Sequence, residues 1–291
     1  FSRVCLYSSY SPLVHLCQVE GQLPFSSSSL VLLIEISKLC ISLIMLIPEI
    51  LKRSVQLPPW SFCVALIVPA FLYTINNNTA VLMQQEMDPT TYQVLGNMKI
   101  ASTAVLYRFI MKRNLSRIKW FSLALLTLAG VIDSLSGSRV KESNTVSHLY
   151  LSITGILLMT SYCFVSGLAG VYTEFIFKKN FKYSIHIQNI ILYIIGIVFN
   201  LSVEDVENKK GFLHGFTSYT WLIVISQTLN GLIMSLVMKY GSNITRLFIV
   251  TSAMLLTTLI SVFIFYISLP PLFIVALFLV LLALYLYHSN E

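Results

Sequence analysis

Long apolar runs alternate with short polar punctuation along the whole chain. The runs fall at about 1–18, 29–50, 60–84, 89–110, 118–135, 148–173, 184–203, 216–239, 244–268 and 270–288. Turn-forming and polar residues separate them, as in PFSSSS at 24–29, QLPPW at 56–60, MDPTT at 87–91 and SLPP at 268–271. A membrane-crossing helix needs about 20 apolar residues, because the hydrocarbon layer is about 30 Å thick and each helical residue rises about 1.5 Å. The runs are near that length and apolar on every side, whereas barrel strands would alternate outward-apolar with inward-polar positions. The pattern predicts an all-α multi-pass membrane protein with ten transmembrane helices.

Composition agrees with that reading. Of the 291 residues, 56% are hydrophobic and 11% charged, with a mean hydropathy of +0.79, against about 25% charge in a soluble domain. Ten spans consume about 200 residues, which leaves no room for a separate catalytic or nucleic-acid-binding domain. The chain opens at Phe1, already inside the first apolar run. An N-terminal piece is therefore expected to be missing, and with no small-residue cleavage site the run does not read as a signal peptide. Cys5, Cys17, Cys40, Cys63 and Cys163 are odd in number and lie in apolar runs, so neither a disulfide framework nor a zinc site is expected. His15, His148, His186, His214 and His288 are scattered without metal-ligand spacing, and no metal or other cofactor is expected.

The net charge of +7 reads first as topology, since Lys and Arg in short loops stay on the cytoplasmic side. The loops after the second, fourth and sixth spans hold Lys52 and Arg53, then Lys112, Arg113, Arg117 and Lys119, then Lys178, Lys179 and Lys182. The opposite loops hold only Arg139, Lys141, Lys209 and Lys210, the last two beside Glu204, Asp205 and Glu207. Both termini are expected in the cytoplasm. Ten spans divide into two five-helix blocks, 1–135 and 148–291, joined by a polar luminal linker at 136–147 within SGSRVKESNTVSH. Five is odd, so the second block enters with opposite orientation. That is the inverted-repeat plan of transporters, with a substrate site expected near the midplane between the halves.

Ionisable residues inside a bilayer cost several kcal/mol on insertion scales, so each needs a partner or a wet cavity. Glu35 and Lys38, three apart on one helix face, read either as a mutually neutralising pair or as a gating pair. Asp133 and Glu174 lie near span ends, where they are expected to reach an interface. Lys99 has no acid within four residues. With Tyr92, Gly96 and Thr103 it makes one helix face carrying a ring, a gap, a cation and a hydroxyl. Such a face could stack a base and bind a phosphate; equally, Lys99 could pair with a carboxylate on another helix. Asn189, Tyr193 and Gly196 form a second stripe, Asn76, Asn77 and Asn78 a polar cluster, and KYGSNITR at 239–246 supplies Lys239, Asn243, Thr245 and Arg246. A lone membrane Asn usually bonds a neighbouring helix, but four polar patches together predict a polar cavity. The Asn77, Asn114 and Asn243 sequons are in a span or on the predicted cytoplasmic side, so none is expected to carry glycan. The run SGLAG at 166–170 suits close helix packing and lacks the lysine of a nucleotide loop.

At these patches the chain resembles the nucleotide-sugar transporter family of the drug/metabolite transporter superfamily, in the branch of the CMP-sialic acid, UDP-galactose and UDP-N-acetylglucosamine transporters. The matching stretches are LIEISKL at 33–39, YTINNNTAVLMQQEMDPTTYQVLGNMKIASTAVL at 73–106, SGLAGVYTE at 166–174, IQNIILYIIG at 187–196, GFLHGFTSYTW at 211–221 and MKYGSNITRLF at 238–248. Within the branch, two further stretches look most like a subgroup labelled probable UDP-sugar transporters: SPLVHLCQVEGQLPFSSSSLVLLIEISKL and SQTLNGLIMSLVMKYGSNITRLF. The resemblance implies a ten-helix Golgi antiporter that exchanges a cytosolic pyrimidine nucleotide sugar for luminal nucleoside monophosphate. It needs no ATP, and no ATP motif is seen. Carried over, Tyr92 and Lys99 match nucleotide-contacting residues, Asn189 and Tyr193 match residues on the pyrimidine or ribose, and Asn77 matches a polar site residue. Lys239 matches a second site lysine, so that two lysines from opposite halves would grip the phosphates. Gly96 would allow the ligand close.

The chain departs from the branch at Asn230 before Gly231, at Ser242, at Ile195 and at Arg246 with Leu247. The subgroup resemblance favours CDP-ribitol or a UDP-sugar as cargo. Beside the antiporter stands a second class, a non-transporting relative that organises other Golgi transporters or glycosyltransferases, alone or as a homo- or hetero-oligomer. An intramembrane transferase would need acids facing a common cavity, and an enzyme is not expected. Neither is a nucleic-acid partner; the partners expected are the bilayer, the nucleotide sugar and the monophosphate.

Overall fold

The computed structural model describes residues 27–52, 56–86, 95–141, 153–204, 212–213, 215–265 and 271–289. The apolar run at 1–18, Tyr92 and the linker after Lys141 lie outside the described residues. All regular structure among the described residues is helical: α1 Ser27–Leu51, α2 Trp60–Glu86, α3 Met98–Met111, α4 Arg117–Lys141, α5 Ile153–Lys179, α6 Ile185–Glu204, α7 Ser218–Tyr240, α8 Asn243–Phe265 and α9 Pro271–His288. These helices follow nine of the ten apolar runs. Three stretches among the described residues are long and apolar enough to cross a membrane: Ser29–Leu51, Ile156–Lys179 and Ser218–Tyr240.

Local chemistry explains several boundaries. α7 opens with a capping box, the Thr217 hydroxyl accepting from the Thr220 N–H while the Thr220 hydroxyl accepts from the Thr217 N–H. α9 begins on Pro271, whose missing N–H is harmless at a first helical position. α3 ends at Lys112, which takes the left-handed conformation with φ 52°. The side chains turned outward are large and apolar, such as Ile44 and Ile47 on α1 and Phe278 and Leu281 on α9. Faces of that kind suit hydrocarbon, and helices are the natural elements there because they satisfy their own backbone groups.

The chain forms two compact units, each discontinuous in sequence. One holds residues 1–74 and 173–242, the other 75–172 and 243–291. In the first, α1 packs on α6 and α7, with Leu30, Ile223 and Val224 at the contact. Ring pairs Phe62 with Tyr183 and Phe71 with Phe199 add to it. In the second, α4 packs along α9, and α8 touches α3, α4 and α9. Its core runs through Ala104, Tyr107, Leu126, Ala129, Phe248, Phe273, Ala276 and Ala283. The alanines let the backbones of α4 and α9 approach, and the Ser122 hydroxyl donates to the Ala283 carbonyl at 2.7 Å.

Two acids behave differently from the sequence expectation. Asp133 and Glu174 are covered by protein rather than turned to solvent: Glu174 is fully buried and Asp133 is 8% exposed. The cause is helix length, since α4 continues to Lys141 and α5 to Lys179. Both acids therefore sit inside helices. On α5 that extension brings Lys178 one turn below Glu174, where its ammonium lies 2.6 Å from the carboxylate and also bonds the Gly241 carbonyl.

Candidate functional site

In the first unit, α1, α6 and α7 bring one polar cluster together. Glu35 and Lys38 form an ion pair on α1. The Lys38 ammonium lies 4.8 Å from the centre of the Tyr193 ring on α6, a cation–π arrangement. Tyr193 is 4% exposed, and its hydroxyl lies 3.2 Å from that of Ser235 on α7. Ser235 in turn donates to the Gly231 carbonyl. Glycine makes room for the cluster: a Cβ on Gly231 would sit 2.8 Å from Lys38 Cδ, and one on Gly196 would sit 3.7 Å from a Glu35 oxygen. One turn before Tyr193, Asn189 is 2% exposed and its Oδ1 has no hydrogen-bond partner among the described residues. Thr228 Oγ1 and Ser42 Oγ are buried in the same condition.

Lys239 belongs to the same unit but to a different arrangement. It is 3% exposed, and its ammonium donates to the Tyr183 carbonyl at 2.5 Å. The rings of Phe181 and Tyr240 flank it at 5.3 and 5.5 Å. Gln188 Nε2 donates to the Asn180 and Tyr183 carbonyls. Lys239 and Gln188 thus hold the turn between α5 and α6 in place.

In the second unit, Lys99 sits in the first turn of α3. The Ser102 hydroxyl donates to the Cys163 carbonyl of α5 at 2.9 Å. A Cβ on Gly167 would meet Thr103 Oγ1 at 3.1 Å and the Thr103 backbone nitrogen at 3.2 Å, so α3 and α5 are in close contact beneath Lys99. Arg246, in the first turn of α8, is near enough for its charge to act on Lys99. No carboxylate among the described residues pairs with either cation. A Cβ on Gly96 would meet only Met159 Cε at an ordinary 3.7 Å, so packing does not require glycine there.

Small residues elsewhere in this unit seat asparagines. A Cβ on Gly170 would lie 2.6 Å from Asn243 Nδ2, and one on Gly130 would lie 2.5 Å from Asn97 Oδ1. Asn76 Oδ1 is buried without a hydrogen-bond partner among the described residues. The backbone of Asn77 lies in α2, whereas its side chain and all of Tyr92 lie outside the described residues.

Of the residues singled out from sequence, the structure joins Glu35 and Lys38 to Tyr193, with Asn189 one turn away. It brings Lys99 within reach of the charge of Arg246, which the sequence marked only as a departure and a polar neighbour. Ser235 was missed; the only trace of it was its spacing four residues after Gly231 on a helix otherwise rich in large apolar side chains.

The all-helical, membrane-spanning plan with charged groups held inside helices is that of an integral membrane protein. The chain belongs to the nucleotide-sugar transporter family, whose family model, described as nucleotide-sugar transporter, matches residues 6–288. Among similar proteins is "Probable UDP-sugar transporter protein SLC35A4" of Xenopus tropicalis, 44% identical over 99% of this chain and 90% of its own. The proteins of that name from Danio rerio and Homo sapiens are 42% and 37% identical, each over 98% of this chain and 91% of their own. A solved crystal structure matches with a TM-score of 0.74 at 12% identity, covering all of this chain and 95% of its own. The relatives are named as transporters, so the chain is grouped with carriers and not with enzymes.

Proposed function

We propose that this chain is a Golgi-membrane antiporter that brings a cytosolic pyrimidine nucleotide sugar into the lumen in exchange for nucleoside monophosphate. Ten spans in two inverted five-helix repeats, with both termini cytoplasmic, would give alternating access. The observation that carries the reading is Lys99, set in the first turn of α3 within reach of the Arg246 charge, with no carboxylate pairing either cation among the described residues. Two like charges held within helices without a counter-ion are costly. A phosphate that enters between periods of emptiness lowers that cost and takes charge-assisted hydrogen bonds from both.

On this reading Lys99 and Arg246 hold phosphate. The family resemblance makes Tyr193 and Asn189 the candidates for base or ribose, and Tyr92, Asn77 and Gly96 the candidates for further nucleotide contacts. The Glu35–Lys38 pair, stacked on Tyr193, is a gating element: a nucleotide using that ring would have to displace Lys38. Lys239 is the less favoured phosphate ligand, because its ammonium already serves the Tyr183 carbonyl. Substrate and exchanged product share the nucleotide, so one set of groups serves both directions. The names of the relatives favour a UDP-sugar, with CDP-ribitol as the second candidate.

The test is nucleotide-dependent thermal stabilisation of the purified protein. UMP or CMP should raise the melting temperature of the wild type, AMP should not, and Lys99→Ala should abolish the effect while keeping the unliganded melting point. Equal stabilisation of Lys99→Ala would remove the phosphate role. No response to any pyrimidine nucleotide by folded protein would favour the non-transporting scaffold.

A further inference from the structure

The cations at the helix ends fall into two groups. Lys178 bonds Glu174 and the Gly241 carbonyl, Lys239 bonds the Tyr183 carbonyl, Lys179 lies 5.9 Å from the Phe175 ring, and Lys182 lies 4.9 Å from the Tyr183 ring. All are engaged by the protein itself. The loop between α3 and α4 is different. Arg108, Lys112, Arg113 and Arg117 are exposed, and no carboxylate among the described residues pairs with any of them or with Lys119.

The surroundings sharpen the contrast. No Asp or Glu occurs in the sequence between Asp88 and Asp133. Arg117 and Lys119 occupy the first turn of α4, which holds no acid, so they add to the positive end of the helix dipole where an anion is normally favoured. Topology alone does not require this, since the cations at 178–182 satisfy the same rule while engaged by protein groups. On the flanks of the loop, Phe109 is 73% exposed and Phe121 59% exposed. Lys119 lies 5.1 Å from the Tyr287 ring. Cations at the ends of two apolar helices, bordered by outward aromatic rings, lie at the level where hydrocarbon gives way to headgroups.

We propose that the α3–α4 loop, through Lys112, Arg113 and Arg117 with Arg108 and Lys119 beside them, binds the headgroup of an anionic phospholipid carrying more than one phosphate. Charge complementarity favours such a headgroup over phosphatidylserine, because the loop and its flanks carry four exposed cations, Arg108, Lys112, Arg113 and Arg117, of which one carboxylate-phosphate headgroup would leave most unneutralised. Phe109 and Phe121 favour a lipid over a soluble anion, since the same molecule supplies acyl chains beside its phosphates. This surface is separate from the nucleotide groups proposed above and stands whether or not the chain transports.

The experiment is native mass spectrometry of the purified full chain titrated with phosphatidylinositol 4-phosphate, phosphatidylserine or phosphatidylcholine. Arg113→Gln/Arg117→Gln is compared with Lys179→Gln/Lys182→Gln, which removes the same charge elsewhere. The wild type should hold phosphatidylinositol 4-phosphate at least tenfold more tightly than phosphatidylcholine and more tightly than phosphatidylserine. The first double variant should weaken that binding at least fivefold and the second less than twofold, with both keeping the wild-type melting temperature in phosphatidylcholine nanodiscs. Equal losses in the two variants, or none in the first, would overturn the assignment. So would displacement of the lipid by inorganic phosphate, marking a soluble-anion site, or by a polyglutamate peptide, marking an acidic protein partner. If the first variant melts early, the single variants Arg113→Gln and Arg117→Gln decide the matter by the same comparison, each expected to weaken the lipid at least twofold.

Discussion

Three lysines of the helices have different neighbours, and those neighbours set what each can do. Lys99 is within reach of the Arg246 charge, Lys38 is paired with Glu35 over an aromatic ring, and Lys239 is spent on a backbone carbonyl. A hydrogen bond to a charged group contributes about 1.5 to 3 kcal/mol, or about 10- to 100-fold in affinity. Arg246→Ala is therefore expected to weaken UMP or CMP binding by about 10- to 100-fold in a calorimetric titration while changing stability little. Lys239→Met should do the reverse, lowering unfolding stability by about 1.5 to 3 kcal/mol with affinity kept within about threefold. The opposite result for Lys239→Met would return that lysine to the phosphate. The Glu35–Lys38 pair was legible from its spacing, but the division between Lys99 and Lys239 was not, because neither has an acid within four residues. Their partners, Arg246 and the Tyr183 carbonyl, lie on other elements, and no local spacing connects them.

At the scale of elements the sequence was far more informative, because a helix surrounded by hydrocarbon or by other helices must be apolar around its whole circumference. α6, α7 and α9 consequently begin and end within a few residues of the apolar runs that predicted them. The misses at α4 and α5 have a common cause: the last turns carry Ser, Arg and Lys, which end an apolar run without ending a helix. On α5 the polar turn is stabilised by Lys178, which caps the carbonyl of Gly241 as well as pairing Glu174. Lys178→Met should destabilise the protein by about 1.5 to 3 kcal/mol in a denaturant melt. Adding Glu174→Gln should recover part of the loss, since a neutral buried amide replaces a charge left without that partner. The glycine contacts give a second check. Gly167→Leu should overpack the α3–α5 contact at Thr103 by about 1 to 3 kcal/mol, and it should also impair nucleotide binding, because Lys99 stands one turn before Thr103 on the same helix.

For the whole molecule, the family follows from evidence spread over nearly the full chain, from residue 6 to residue 288. The compact units do not follow the order of the chain: each combines two separate stretches of the sequence, because α2 and α5 run from one unit into the other. Linear reading finds spans and suggests repeats, but contacts among distant helices decide which side chains become neighbours. Orientation is testable directly. A single cysteine introduced as Asn114→Cys in the α3–α4 loop of a cysteine-free version should react with an impermeant maleimide only from the cytoplasmic face of sealed membrane vesicles; labelling only from the opposite face would invert the topology. The most direct test of the central claim is counterflow in proteoliposomes preloaded with UMP or CMP, using radiolabelled UDP-sugars, CDP-ribitol and CMP-sialic acid outside, with Lys99→Ala alongside. The account predicts uptake of a pyrimidine nucleotide sugar that requires both the preloaded monophosphate and Lys99. Uptake that persists in empty vesicles or in Lys99→Ala, or no uptake by folded wild-type protein, would contradict it.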